Sequence, residues 1–168
     1  QSRWFYGVTS EGSTVSLLSR ERHEARLNLF VDVLQRIFPA GLKGKRVLDL
    51  GSNAGLFSLA CLEHGADSVV AVEASEDFIL QGESFFRAAK VDTRRYRFVH
   101  ADVLQWLFQN ADKFDVCLAL GLVHHLPFMR FMEFFAGVAG VCDDVLVLDL
   151  YLAACSVAPS FELFLKTR

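Results

Sequence analysis

Short apolar runs rich in Val and Leu alternate along this chain with stretches of helical period, and this alternation restricts the fold more than any other feature. Parallel strands need a long crossover, and a sheet with helices on both faces has strands that are apolar throughout, so the pattern points to βαβ units. Five strands are expected: Arg46–Leu50, Ser68–Ala74, Tyr96–His100, Phe114–Leu120 and Asp144–Leu150. Helical segments fall between them at about 54–64, 77–90, 103–111 and 128–140. A further amphipathic helix, Ser19–Phe38, precedes the first strand. Leu27, Phe30, Val31, Leu34 and Phe38 lie on one stripe of it, and Pro39 and Gly41 stop it.

Domain organisation follows from size. A chain of 168 residues with 52% hydrophobic and 22% charged residues makes one packed domain, here 19–168. Residues 1–18, with the adjacent aromatics Trp4, Phe5 and Tyr6, read as an irregular arm that fills a groove or folds over a ligand. A net charge of -3 supplies no bulk field for a phosphate backbone. Cys61, Cys117, Cys142 and Cys155 show neither CxxC spacing nor a neighbouring His, which reads as reduced core thiols and no metal site. With no apolar run of about 20 residues and no signal-peptide core, a cytoplasmic location is expected.

The chemically informative segment is Asp49-Leu50-Gly51-Ser52-Asn53-Ala54-Gly55. A buried strand ends in an acid, and a glycine turn opens directly into a helix at the carboxyl edge of the sheet, where open α/β folds hold small molecules. Gly51 and Gly55 permit close backbone approach, and Asn tolerates positive φ. The dinucleotide pattern GxGxxG fails, because Asn53 and Leu56 stand where its second and third glycines belong. Asp49 would also repel a pyrophosphate, whereas an ammonium group would be drawn to it.

This segment resembles the first motif of class I S-adenosylmethionine-dependent methyltransferases, D/E-x-G-x-G-x-G, with Asn53 replacing the middle glycine. The resemblance runs from about Leu42 to Leu150. It implies a Rossmann-like, mainly parallel sheet in the order 3-2-1-4-5 and S-adenosylmethionine as cofactor. Asp49, Gly51, Ser52, Asn53 and Gly55 would form the cofactor turn. Glu73, followed by Ala74, would accept the ribose hydroxyls, through charge-assisted bonds of roughly 1.5 to 3 kcal/mol. Asp102 would take the adenine amino group with Val103 beside the ring, Leu120 and Gly121 would line the methionine side, and His124 or His125 would lie near the transferred methyl. An imidazole titrates near pH ~6.5 and suits general-base work. Each residue also has a structural reading: Glu73 as a helix N-terminal charge, Asp102 as a helix cap, the histidines as loop packing.

The methyl acceptor is expected to be a small molecule. The alternatives are a tRNA-modifying methyltransferase, a non-catalytic S-adenosylmethionine-binding module that regulates a partner, and, disfavoured by the failed glycine pattern, an NAD(P)-dependent oxidoreductase. Arg87, Lys90, Arg94, Arg95 and Arg97 form a basic cluster that reads first as a solvated face. Asp149 at the end of the fifth strand could face a substrate, and Arg22 and Arg26 could reach a carboxylate. Members of the resembling family continue past the fifth strand into an antiparallel hairpin. That hairpin is expected to be missing here, with a helix at Ala158–Lys166 and the edge of the fifth strand open or covered by another chain or a second copy.

Overall fold

A computed structural model of the chain describes residues 17–150 and 160–165. Helix α1 (Leu17–Ile37) leads into β1 (Arg46–Leu50), α2 (Leu56–Glu63), β2 (Ser68–Glu73), α3 (Glu76–Ala88), β3 (Tyr96–His100), α4 (Val103–Gln109) and β4 (Phe114–Ala119). Two 3-10 turns, Val123–His125 and Phe128–Arg130, then precede α5 (Phe131–Val141), β5 (Cys142–Leu150) and β6 (Ser160–Leu165). The sheet order is β3-β2-β1-β4-β5-β6. Its first five strands are parallel, in the 3-2-1-4-5 order expected from the sequence, and β6 runs antiparallel to β5.

The strands were legible because both faces of the sheet are covered. Val47, Val69, Val116, Leu118, Val145 and Val147 face one core with Phe30 and Leu34 of α1 and the apolar α2. Leu48, Leu50, Val70, Val72, Cys117, Ala119, Leu146 and Leu148 face the other, against α4 and α5. The period-2 alternation therefore separates two apolar sets rather than an apolar from a polar one, as a parallel sheet requires.

The expected end of the chain needs correction. Residues 160–165 form a strand, not part of a helix at Ala158–Lys166, and they pair with β5 from Val145↔Leu165 to Leu150↔Ser160. An antiparallel return strand is thus present, and the edge of β5 is closed by this chain's own backbone. The reason given above for a covering partner falls away with that edge. The run Ser-Phe-Glu-Leu-Phe-Leu is too short to separate helical from strand period, and its aromatic content favours a strand once an edge is available. Residues 1–16 of the expected arm, and Cys155, lie outside the described residues; the last two arm residues open α1.

The remaining basic residues and thiols are mostly structural. Arg95 donates through Nη2 to the carbonyls of Leu62 (3.1 Å) and Ala66 (2.6 Å), closing the end of α2 onto the start of β3. Arg94 pairs with Asp92, which holds that exposed carboxylate at about 2, so one charge of the basic cluster is matched locally. Cys61, Cys117 and Cys142 are buried. At the amino ends of the central strands, Lys45 bridges Asp144 (3.1 Å) and Asp115 (3.4 Å). Asp115 also accepts the Arg46 N–H at 2.8 Å.

Phe86 of α3 packs on Tyr96 and Phe98 of β3, with centroids 4.7 to 6.0 Å apart, tilted against Tyr96 and edge to face with Phe98. Gly82 of α3 sits on this cluster: a Cβ there would lie 2.6 Å from Phe98 Cζ and 3.1 Å from the Ala54 carbonyl. Gly82→Ala would favour an isolated helix by roughly 1 kcal/mol, but in this packing it is expected to destabilise the domain by about 1–3 kcal/mol. Urea unfolding of the two proteins checks this, and a neutral or stabilised variant would mean that the aromatic cluster yields freely.

Candidate functional site

The turn after β1 is built against β2. Gly51 and Ser52 both donate their amide hydrogens to the Val72 carbonyl, at 2.9 and 3.1 Å. The Asn53 amide donates to Glu73 Oε2 at 2.8 Å, and the Ser75 amide to Oε1 at 2.9 Å. Ala54 N–H is taken by Asn53 Oδ1 (2.8 Å) and Gly55 N–H by the Ser52 carbonyl (2.9 Å). Gly51, Asn53 and Gly55 all adopt positive φ, at 68, 53 and 77°, which tightens the chain enough to enter α2 at once. The turn amides are thus engaged inside the protein. What the turn offers a ligand is a close backbone surface and the carboxylate of Glu73, already oriented by two amides and with acceptor capacity remaining.

Along the carboxyl ends of β1, β2 and β4 and the loop after β3 lies a cavity of about 460 Å³, within the range of small-molecule sites. Its wall includes Gly51, Ser52 and Asn53 from the turn, Glu73 and Ala74 after β2, Asp102 and Val103 after β3, and Leu120, Gly121, His124 and His125 after β4. Residues that sequence reasoning treated as separate motifs therefore meet around one space. Asp102 is also the N-cap of α4, accepting the Gln105 N–H through Oδ1 at 2.9 Å, so the structural and the ligand-facing readings of this residue coexist.

Asp49 and Gly55, both placed at the ligand by the sequence, are set back from the cavity wall. At Gly55 a Cβ would fall 2.9 Å from Phe98 Cζ and 3.0 Å from Phe86 Cε2, and the φ of 77° itself favours glycine, so packing and backbone both require it. Asp49 is buried beneath the turn with 2% exposure, and Ser58 Oγ–H of α2 donates to its Oδ2 at 2.6 Å. Burial pushes its carboxyl up to about 6, with the charge of Glu73 adding to the rise and the Ser58 bonds opposing it.

The two histidines stand together in the cavity wall, ring centroids 4.1 Å apart and tilted by 41°. Partial desolvation, and then the proximity of His125, lower the pKa of His124; Asp149 pulls the other way and Arg26 adds to the lowering. Below them is a contact that sequence reasoning set aside. Arg26 of α1 donates through Nη2 to Asp149 Oδ2 at 2.6 Å, and the Gly121 N–H donates to Asp149 Oδ1. Arg26 lines the cavity along with Phe57, Phe78, Leu122 and Leu126, none of which a motif identifies. Beyond Leu126 the apolar side chains of Phe128, Met129 and Met132 stand exposed. Among the described residues no group of three His, Cys, Asp or Glu side chains is placed to hold a metal ion, and no helix is long and apolar enough to cross a membrane.

A doubly covered parallel sheet, a left-handed turn after its first strand and an acid after its second define a protein that binds a nucleoside-type ligand. The comparisons agree: a family model described as a methyltransferase domain matches residues 47–144. The ribosomal RNA large subunit methyltransferase K/L of Colwellia psychrerythraea is 35% identical over 74 residues, 44% of this chain and 10% of that protein. Its counterpart in Shewanella sp. (strain W3-18-1) is 34% identical over 90 residues, 52% of this chain and 13% of that protein. The chain thus spans about a tenth of the length of these relatives. Among solved structures, the magnesium protoporphyrin IX methyltransferase of Synechocystis PCC 6803, with bound SAM, superposes with a TM-score of 0.68 at 21% identity, over 83% of this chain and 65% of that one. The chain belongs to the class I S-adenosylmethionine-dependent methyltransferase family.

The buried Asp49 sets a dependence on pH. Its folded-state pKa, about 6, lies above the ordinary 3.8, so the folded protein holds the extra proton between those values. Its effect on stability is therefore neutral at low pH and turns unfavourable as pH rises from about 4 to 6, by up to roughly 3 kcal/mol at about 1.36 per unit. Asp49→Asn should raise the melting temperature of the ligand-free protein at pH 8 and leave it nearly unchanged at pH 4. Thermal melts across that range decide it; a variant less stable than wild type at pH 8 contradicts the desolvated carboxylate.

Proposed function

We propose that this chain binds S-adenosylmethionine in the cavity above β1, β2 and β4 and transfers its methyl group to a small-molecule acceptor, in the cytoplasm. The observation that carries this reading is Glu73. Its carboxylate lines the cavity, is fixed by the amides of Asn53 and Ser75, and has lone pairs left for a ribose diol. Around it the wall supplies what the rest of such a ligand needs. Asp102 and Val103 offer an acceptor and an apolar flank for an adenine; the Gly51–Asn53 backbone and Leu120–Gly121 border the opposite end. Asp49, set beneath the turn, would contribute a negative potential to an ammonium group there rather than a direct contact.

When bound, S-adenosylmethionine supplies a methyl carbon made electrophilic by its sulfonium. The chain's own work is to hold an acceptor in line with that carbon, a positional effect that can be worth roughly 7 to 11 kcal/mol. His124, whose pKa is held low by partial desolvation and by His125, is neutral at pH 7 and available to take a proton from an acceptor hydroxyl or nitrogen. Phe128, Met129 and Met132, exposed a few residues past the cavity-lining Leu126, favour an acceptor with an apolar body.

A second reading, a nucleic-acid acceptor, draws on the ribosomal RNA methyltransferase relatives. The net charge of -3 and the pairing of Arg94 with Asp92 count against it. Incubation with methyl-labelled cofactor separates the two: label is expected in a small-molecule extract and not in purified ribosomal RNA. Label in RNA that falls steeply with added salt would reverse the order.

Glu73→Ala is expected to weaken S-adenosylmethionine by about 10- to 150-fold in calorimetric titration, the equivalent of roughly 1.5 to 3 kcal/mol; an unchanged dissociation constant removes the ribose assignment. Asn53→Gly should bind within a few fold of wild type, since glycine accepts the φ of 53° and only the Asn53 Oδ1 bond to Ala54 is lost. His124→Ala and His125→Ala, assayed for label transfer, should show one large fall in turnover with cofactor affinity intact. Two variants with full turnover exclude a histidine base.

A further inference from the structure

We infer that His100 is a positioning residue for Glu73: its imidazole fixes the peptide unit whose N–H orients the Glu73 carboxylate toward a ribose. The inference rests on the cofactor reading above and extends it to a residue set outside the cavity's own wall.

His100 ends β3, and Glu73, its register partner, ends β2. The Ala101 N–H donates to the Glu73 carbonyl at 3.0 Å, so the backbones of the two strand ends are joined up to this point. One residue further along β2 a side chain takes over: His100 Nε2 meets the Ala74 carbonyl at 3.0 Å. A carbonyl only accepts, so the ring proton in this contact sits on Nε2.

The Ala74 carbonyl and the Ser75 N–H belong to one planar peptide unit. Its N–H donates to Glu73 Oε1 at 2.9 Å. A single peptide therefore carries the imidazole on its oxygen and the carboxylate on its nitrogen. Rotating it would break both bonds and turn an oxygen toward the carboxylate. A donor on the carbonyl also polarises the N–H of the same unit and strengthens the bond it gives. Glu73 Oε2 is held separately by the Asn53 N–H of the turn, at 2.8 Å, so the carboxylate is gripped from two sides and His100 secures the one that the turn does not supply. Ala74 lines the cavity with an exposed methyl group that cannot anchor this peptide by itself. His100 is exposed as well, so replacing it opens no cavity in the core, and an effect on affinity is separable from one on stability.

Calorimetric titration of the whole chain with S-adenosylhomocysteine tests this through a double-mutant cycle. His100→Leu removes the donor and should weaken the ligand about three- to tenfold, the worth of one hydrogen bond. His100→Gln, which carries an N–H at a similar reach, should recover most of that loss. In the Glu73→Ala background His100→Leu should change the affinity by less than about twofold, because no carboxylate is left to orient. A His100→Leu protein that binds like wild type, or one weakened equally with and without Glu73, overturns the proposal and leaves His100 as a contact between loops. The wild-type protein supplies a check that no variant's folding can spoil: the ¹⁵N spectrum of the neutral His100 ring should show its proton on Nε2, and a proton on Nδ1 overturns the clasp. Failure of the wild-type protein to bind S-adenosylhomocysteine is a different result, which removes the cofactor reading. The Ser75 amide resonance then judges the clasp alone: it should move upfield in His100→Leu and return in His100→Gln, and a resonance identical in all three proteins overturns it.

Discussion

The seam between the end of β1 and the end of β2 is the constraint on which the site depends. Two amides converge on the Val72 carbonyl, and a third reaches the Glu73 carboxylate. These bonds set the left-handed path from Gly51 to Gly55, which in turn starts α2 where Ser58 can meet Asp49. If the seam opened, the acid, the turn and the helix would lose their relation to one another together. A buried carboxylate titrating near 6 underneath it shows that the arrangement is held against a local electrostatic cost.

Most of the sheet and much of the site were readable beforehand, for physical reasons. A strand covered on both faces must be apolar throughout, so β1, β2, β4 and β5 announce themselves in composition. An acid or glycine at such a strand's carboxyl end interrupts that composition, so Glu73 and Gly121 were each visible as exceptions. Ordered motifs then carried more information than any one of them, because the parallel topology brings every carboxyl end to the same side.

What escaped was long in range or short in length. The Arg26–Asp149 pair joins positions 123 apart, and nothing local to either residue announces the other. Phe57, Phe78, Leu122 and Leu126 look like any other core residue until the cavity is seen. Residues 160–165 are too few to display a period, and their pairing with β5 depends on an edge that only the folded sheet supplies. Gly55 carries a second role that no motif announces, since its missing side chain makes room for the rings of Phe98 and Phe86.

Lys45 gathers Asp115 and Asp144 at the amino ends of β1, β4 and β5, on the side of the sheet away from the cavity. The scaffold is clasped at one end while its ligand contacts come from connections at the other, the 3-10 turns after β4 among them. Such a division would let the loop from Leu122 to Arg130 change and accept new chemistry without rebuilding the contacts that keep the strands in register. The connections at the top of the sheet can therefore vary while the register of the strands is set elsewhere.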